Sequence, residues 1–430
     1  MVKKLFGKIK SSRVIGNASW MVGEQMVQML MSFIIGMISV RYLGPSNYGL
    51  LQYCAAYMTF FTSIALLGLE AIVVKELVSH PEKEQEIIGS AILMRLIAGT
   101  LSIGCILLIL YFFDDADPLI MKVGFLQSLL LVFRAFEIFD FWFQSKLQSK
   151  YASILKSISY VLVAGYKIFI LATGKTIEWF AFSQSLDFLI IAILLTIAYK
   201  AKGGKRLTFS FSMSKTLLSQ SYHFIISSLI ITVYAQIDRV MIKHFIDDTQ
   251  TGLYSAAVMI CSYWALVPTA IINSTRPVIM ELKKDGNEVM YKRRLKQLYA
   301  LLIWLDILVS LIISVFAKPI MFIVYGEAYL PAAGALAISI WYTTFSVLGV
   351  ARGNWLVCEG KNKYAKWFVL FGAIANVILN WALIPYMGIE GAAVATLITQ
   401  IVVCFVSPMC FKDTRENAKD MIEALVFKFD

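Results

Sequence analysis

Apolar positions in this chain neither alternate nor form narrow helical stripes; they run on without a charge. Such stretches cover Tyr42–Leu69, Leu96–Phe113, Thr249–Thr275, Ala328–Ala351, Trp367–Ile389 and Gly391–Phe411. A helix crossing a bilayer needs about 20 predominantly apolar residues, and six runs of this kind do not fit inside one soluble core. Hydropathy predicts twelve spans, over residues 14–40, 47–70, 88–113, 119–143, 151–172, 178–199, 216–245, 252–275, 297–317, 329–351, 365–386 and 389–411. The expected fold is an all-α polytopic membrane protein.

Composition agrees. Apolar residues make up 59% and charged residues 16%, where an ordinary soluble domain has about 45–50% and about 25%. A net charge of +11 would suggest nucleic acid if it formed one soluble face. The positive residues sit instead in short clusters between apolar segments. Anionic membrane lipids are therefore the expected counter-charge, and nucleic acid is not an expected partner.

The same clusters give an orientation. With the N-terminus inside, cytoplasmic segments hold 28 Lys and Arg residues, and the external loops hold only Arg41, Lys122, Lys175, Lys243 and Lys318. Positive residues stay inside, so both termini are expected in the cytoplasm of a bacterial cell membrane. The basic start (Lys3, Lys4, Lys8, Lys10, Arg13) resembles a signal peptide, but Asn17, Glu24 and Gln28 interrupt what would be its apolar core. It reads as an uncleaved amphipathic lead-in to the first span.

The chain divides naturally at its longest basic connection. An N-terminal lobe is expected over residues 1–200, a cytoplasmic linker over 201–215, a C-terminal lobe over 216–411 and a cytoplasmic tail over 412–430. A repeat supports this. Gly49-Leu50 opens the second span and Gly252-Leu253 the eighth, each followed closely by Ala-Ala, at an offset of 203. Asn17, Glu24 and Gln28 have counterparts in Ser221, Ser228 and Thr232 at an offset of 204. Two pseudo-symmetric six-helix lobes would relate by an axis along the membrane normal.

No chemistry of an enzyme is visible. The six cysteines form no CxxC pair, the three histidines lie far apart, and there is no Walker loop, nucleophile elbow or HExxH. Neither a metal, a cofactor nor a catalytic residue is expected.

Charge at bilayer depth costs about 2.5–3.5 kcal/mol per residue on insertion scales, so it calls for an explanation. Several candidates are near enough to an interface to snorkel, namely Arg95, Lys167, Asp238 and Arg352. The fourth span is different: Gln127, Arg134, Glu137, Asp140 and Gln144 fall within an arc of about 140° at helical spacing. That stripe is either a buried Arg134–Glu137 pair or a cavity lining. Polar stripes on the first and seventh spans favour two bundles facing a hydrated cavity over interhelical hydrogen bonding alone. The stretch Val278–Gln297 is amphipathic and basic, and is expected to lie along the cytoplasmic surface.

The run Arg41-Tyr42-Leu43-Gly44-Pro45-Ser46-Asn47-Tyr48-Gly49-Leu50 resembles the first external loop of the polysaccharide-repeat-unit flippases of the O-antigen and capsule type. These share a superfamily with the MATE exporters and the lipid II flippase. Asp238-Arg239 with Gly252–Ala257, and Asn376–Gln400 with Ile384-Pro385 and Gly391-Ala392-Ala393, resemble matching segments of the family. The resemblance implies a MATE-like fold and transport of an undecaprenyl-diphosphate-linked oligosaccharide to the outer leaflet by alternating access. It also implies a polysaccharide polymerase and chain-length proteins as partners. In the lipid II flippase, arginines near the cytoplasmic-facing cavity bind the diphosphate; here the first span carries Glu24 and no arginine.

A diphosphate carries about two charges and is held bidentately by guanidinium. The candidate substrate-binding residues are therefore Arg134, Arg239 and Arg276, with Lys167 and Arg352 behind them. Glu24, Asp140 and Asp187 are the candidates for ion coupling. The alternative is a MATE-like cation-coupled drug exporter, in which Glu24 and Asp187 would bind cations.

Overall fold

The computed structural model describes residues 13–428, without the side chains of residues 13–19, 22, 30 and 227. The basic arm before Arg13 and the side chain of Asn17 lie outside the described residues. All regular structure among the described residues is helical.

The first helix, α1 (Arg13–Ala65), runs through two of the predicted spans and breaks at Gly44, where φ is 71°. That backbone region is strained for a residue with a Cβ and free to glycine, and Pro45 next to it supplies no amide donor. The chain continues through α2 (Glu70–Ser79), α3 (Glu84–Phe113), α4 (Pro118–Ser128), α5 (Leu130–Phe133), a 3₁₀ turn (Arg134–Glu137) and α6 (Ile138–Ser145). Then come α7 (Ser149–Ala172), α8 (Ile177–Ala201), α9 (Phe211–Phe245), α10 (Asp248–Lys284) and α11 (Glu288–Val315). After α12 (Ala317–Tyr325), α13 (Ala333–Ser339) and α14 (Tyr342–Cys358), α15 (Ala365–Ile401) repeats the device of α1, breaking at Gly388 with φ 61°. A π turn (Val402–Val406), α16 (Ser407–Met409) and α17 (Arg415–Leu425) finish the chain.

Nine helices of the described residues are long and apolar enough to cross a membrane, and the pair Glu327–Ser339 and Tyr342–Cys358, bent by 47°, makes a tenth. Two of the ten, Gly23–Ser79 and Asn362–Met409, each contain a glycine break between two predicted spans. Ten plus those two second halves gives the twelve spans expected.

The chain forms two compact units: residues up to Tyr42 with Cys54–Thr232, and Leu43–Tyr53 with Val233 onward. The first unit is packed around Phe139, Trp142 and Tyr199, whose rings meet at 4.5 Å and 4.9 Å. Its last connection is laid along α3, where Thr208 N–H donates to Gln85 O and the backbone of Thr208 occupies the space a Cβ on Gly89 would need.

The core of the second unit contains Tyr291, Tyr299, Leu302, Trp355 and Phe368. Here the repeated glycines meet. A Cβ on Gly49 would lie 1.7 Å from Asp248 O, and one on Gly252 would lie 1.9 Å from Pro45 O. Only two glycines let these backbones cross so closely.

The stretch Val278–Gln297 is divided between two helices. It is not one surface helix: Gly286 turns the chain at φ 71°, ending α10 and letting α11 start. The chain end also docks. Asn417 of α17 donates to Tyr299 OH at 2.7 Å, and buried Lys296 of α11 reaches Glu423 at 2.6 Å and Asp420 at 3.8 Å.

Candidate functional site: a charged cavity in the first unit

The first unit encloses a cavity of about 470 Å³. Its walls come from α1 (Glu24, Gln28, Ser63), α3 (Arg95), the 3₁₀ turn with α6 (Arg134, Glu137, Asp140, Gln144), α7 (Lys156, Tyr160) and α8 (Asp187). The local backbone explains the fourth-span stripe. A 3₁₀ turn eclipses residues three apart, so Arg134 and Glu137 stand one above the other and pair at 3.0 Å. Both earlier alternatives hold at once: the pair exists, and it lines the cavity.

Arg134 keeps part of its surface free, with 23% of the side chain exposed. Its Nε is committed to Glu137, and its guanidinium carbon stands 4.9 Å over the Phe188 ring. The Nη groups remain available for an anion.

Lys156 was not foreseen as a member of this site. Its ammonium lies 2.7 Å from Asp140 Oδ2 and 3.9 Å from Glu24 Oε2. Tyr160 OH donates to Glu24 at 3.1 Å, and Gln144 donates to Asp140 at 3.2 Å. The sequence signal was Lys156 at the start of the fifth span, assigned to the cytoplasmic loop. Asp187 takes a 2.6 Å hydrogen bond from Ser159 and lines a small annex of about 70 Å³ together with Gln28, Tyr160 and Lys167. On the other side of Glu24 an apolar groove of about 520 Å³ is lined by Trp20, Val27, Ile154, Ile158, Val161 and Leu162.

Three residues expected to snorkel do not. Arg95 is 2% exposed, donating to Leu66 O at 3.2 Å with its guanidinium over Phe141. Arg352 is 4% exposed and donates to Cys404 O at 2.8 Å. A main-chain carbonyl takes a hydrogen bond from each guanidinium inside the protein, although the Nε of Arg352 stays buried without a partner. Buried Asp238, in the second unit, accepts from Asn380 at 2.6 Å, Tyr254 at 2.7 Å and Thr396 at 2.8 Å.

The sequence candidates therefore separate. Glu24, Arg134, Asp140 and Asp187 share the cavity, and Lys167 lines its annex. Arg239 belongs to the second unit, hydrogen-bonded to Ser255 and Gln236, and Arg276 is an exposed residue of α10. On the seventh-span stripe, Ser228 lines the cavity but also donates to Ser63, which meets Thr232 at 2.8 Å. Hydrogen bonding between helices thus accounts for much of that stripe.

An all-helical chain with this span arrangement has the fold of the MATE transporters and of MurJ. It superposes on an inward-facing multidrug resistance MATE family transporter of the MOP superfamily with a TM-score of 0.71, at 15% identity, covering 92% of this chain and 96% of that one. Lipid II flippase MurJ in an inward closed conformation gives 0.69 at 16% identity, covering 96% and 90%. The chain belongs to the polysaccharide biosynthesis protein family, whose model matches residues 14–283; the MatE model matches residues 224–382.

Among curated relatives, the probable flippase AglR of Haloferax volcanii is 28% identical over 172 residues, 39% of this chain and 35% of that protein. The probable low-salt glycan biosynthesis flippase Agl15 of the same organism is 25% identical over 190 residues, 44% and 40%. The matched stretches span less than half the length of these relatives.

Proposed function

We propose that this protein is a flippase that moves a polyprenyl-diphosphate-linked oligosaccharide repeat unit across its membrane by alternating access, for surface polysaccharide synthesis. In a bacterial cytoplasmic membrane the carrier is undecaprenyl diphosphate, and both termini are cytoplasmic. The observation that carries this reading is membership of the polysaccharide biosynthesis family over residues 14–283, joined by two relatives named as flippases. The lobes are those read from the sequence, residues 1–200 and 216–411.

Arg134 is the leading diphosphate ligand, because a guanidinium with free Nη groups in an enclosed cavity suits a bidentate anion. Lys167 is a second. Arg239 and Arg276 are retained as candidates of the second unit, whereas Arg352 is engaged with Cys404 O and is withdrawn. Glu24, Asp140 and Asp187 are assigned to ion coupling. The apolar groove beside Glu24 suits the prenyl chain, since a bilayer-depth apolar wall accepts a hydrocarbon without desolvation cost. Anionic lipids meet the basic cytoplasmic loops, and a polymerase with chain-length proteins consumes the exported units.

One observation favours the runner-up, a MATE-like cation-coupled drug exporter. The cavity wall carries five carboxylates (Glu24, Glu70, Glu137, Asp140, Asp187) against Arg95, Arg134 and Lys156. Two of those carboxylates are held by Lys156 and one by Arg134, which lowers the excess. Deleting the gene separates the readings. Loss of surface polysaccharide with accumulation of lipid-linked repeat units, at unchanged sensitivity to cationic dyes, is expected. Raised dye sensitivity with normal surface polysaccharide would reverse the ranking.

A further inference from the structure

In the second unit, Asp306 sits near the middle of α11 and is 0% exposed. Its Oδ1 accepts the indole N–H of Trp264 (α10) at 2.5 Å and the hydroxyl of Thr343 (α14) at 3.5 Å, while its buried Oδ2 has no partner. Among the described residues no cation pairs with it. The elements packed on α11 bring titratable groups, but none that compensates a charge here. Buried Cys261 precedes Trp264 on α10, and Arg276 lies about three turns further along it. On α14, Tyr342 adjoins Thr343, and Arg352 is committed to Cys404 O. Helix α13 carries no titratable residue, Lys318 of α12 lies beyond the end of α11, and the carboxylates of α17 meet Lys292 and Lys296 at the opposite end.

An ionised carboxylate in this position would have neither counter-ion nor a donor for its second oxygen, and burial disfavours the charged form. A protonated carboxyl keeps the Trp264 hydrogen bond and carries no charge. Hydroxyl groups also line the helix beyond it. Ser310 and Ser314 follow Asp306 at i+4 and i+8, on one face of α11. They donate to Ile340 O at 3.3 Å and Ala337 O at 2.9 Å, carbonyls beside the 47° bend between α13 and α14. Trp341 donates to Ser314 at 3.0 Å, and the Ser339 hydroxyl is buried without a partner. Hydroxyls thus stand on this face between Asp306 and the end of the helix at Val315, each serine of α11 donating to a main-chain carbonyl.

We propose that Asp306 is a proton-binding site of the second unit, loaded and unloaded along Ser310 and Ser314. Ionisation makes Oδ1 a charge-assisted acceptor that tightens Trp264; protonation loosens that hold and eases α10, which carries Pro268 one turn beyond. The use of the site in a transport cycle rests on the flippase reading; its protonation does not.

The test is infrared difference spectroscopy on the purified full-length protein in lipid, stepped from acid to alkaline buffer. In an Asp420→Asn background, which removes the tail carboxyl that burial pushes up to about 6, a protonated-carboxyl band that disappears at alkaline pH is expected, and the loss of that component is expected on adding Asp306→Asn, which still offers Trp264 an acceptor. Ser310→Ala with Ser314→Ala is expected to slow the band's disappearance. No such band in that background, or the same band after adding Asp306→Asn, overturns the proposal; an unchanged rate overturns the path. An Asp420→Asn protein that exports lipid-linked glycan yet shows no band sinks this inference alone, whereas the band without export sinks the flippase reading alone.

Discussion

Lys156 lies 2.7 Å from Asp140 and 3.9 Å from Glu24, with only 18% of its side chain exposed. Removing one member of a buried ion pair leaves the other uncompensated, typically at about 3–5 kcal/mol. Lys156→Met is therefore expected to lower folded yield in detergent strongly, and adding Asp140→Asn to recover much of it. Arg134 should behave differently. If it binds diphosphate, Arg134→Ala abolishes export at matched folded yield while Arg134→Lys retains a part. Full export in the Arg134→Ala, Glu137→Gln double variant would remove it from the substrate site.

Outside the membrane, burial pushes the Asp420 carboxyl up to about 6. Hydrogen bonds from Lys292 and Lys296 hold Glu416 and Glu423 below their ordinary value. A raised acid costs stability as pH climbs from the ordinary carboxylate range through its folded value, and the lowered acids lose their contribution as pH falls. Asp420→Asn is thus expected to raise the thermal midpoint above about pH 6 and to leave it unchanged well below. These carboxylates explain why the residue pattern was only partly legible. Glu24, Arg134, Asp140 and Asp187 announced themselves by charge at depth, but Lys156 looked like any loop lysine. Its partners lie far from it in sequence.

At the scale of elements, α1 and α10 cross at Gly49 and Gly252, where any Cβ would meet a backbone carbonyl closer than 2 Å. Backbone cannot retreat as a side-chain tip can, so Gly49→Ala or Gly252→Ala should cost at least ~1–3 kcal/mol. Thermal stability in detergent checks this, with Gly23→Ala, whose Cβ meets nothing within 4 Å, as the control. The repeat that revealed these two glycines was visible as a spacing; that they touch was not. The snorkelling of Arg95 and Arg352 failed at this scale too. Their guanidiniums donate to the carbonyls of Leu66 and Cys404, which lie where the chain leaves α1 and where a π turn follows α15. Carbonyls freed by such irregularities cannot be counted from hydropathy.

For the whole molecule, the orientation read from Lys and Arg predicts labelling. Single cysteines at Asn47, Asp115, Asp247 and Glu327, in a background without the native cysteines, should react with an impermeant thiol reagent from outside. Those at Ser79, Gly203, Asp285 and Asn362 should not, and reaction at Gly203 in intact cells would overturn the proposed topology. The sequence by itself determined that the chain is helical, membrane-spanning and of twelve spans. Run length and hydropathy are local quantities, and the lipid environment admits few alternatives to the helix. Only the tertiary structure decided which polar residues became partners. It brought Lys156 to Glu24 and Asp140, left Arg134 with free donors, sealed Arg352 against a carbonyl, and set Asp306 apart from every cation among the described residues. Those outcomes depend on where separate helices touch, and the energy of a buried charge is fixed by neighbours that the linear pattern does not name.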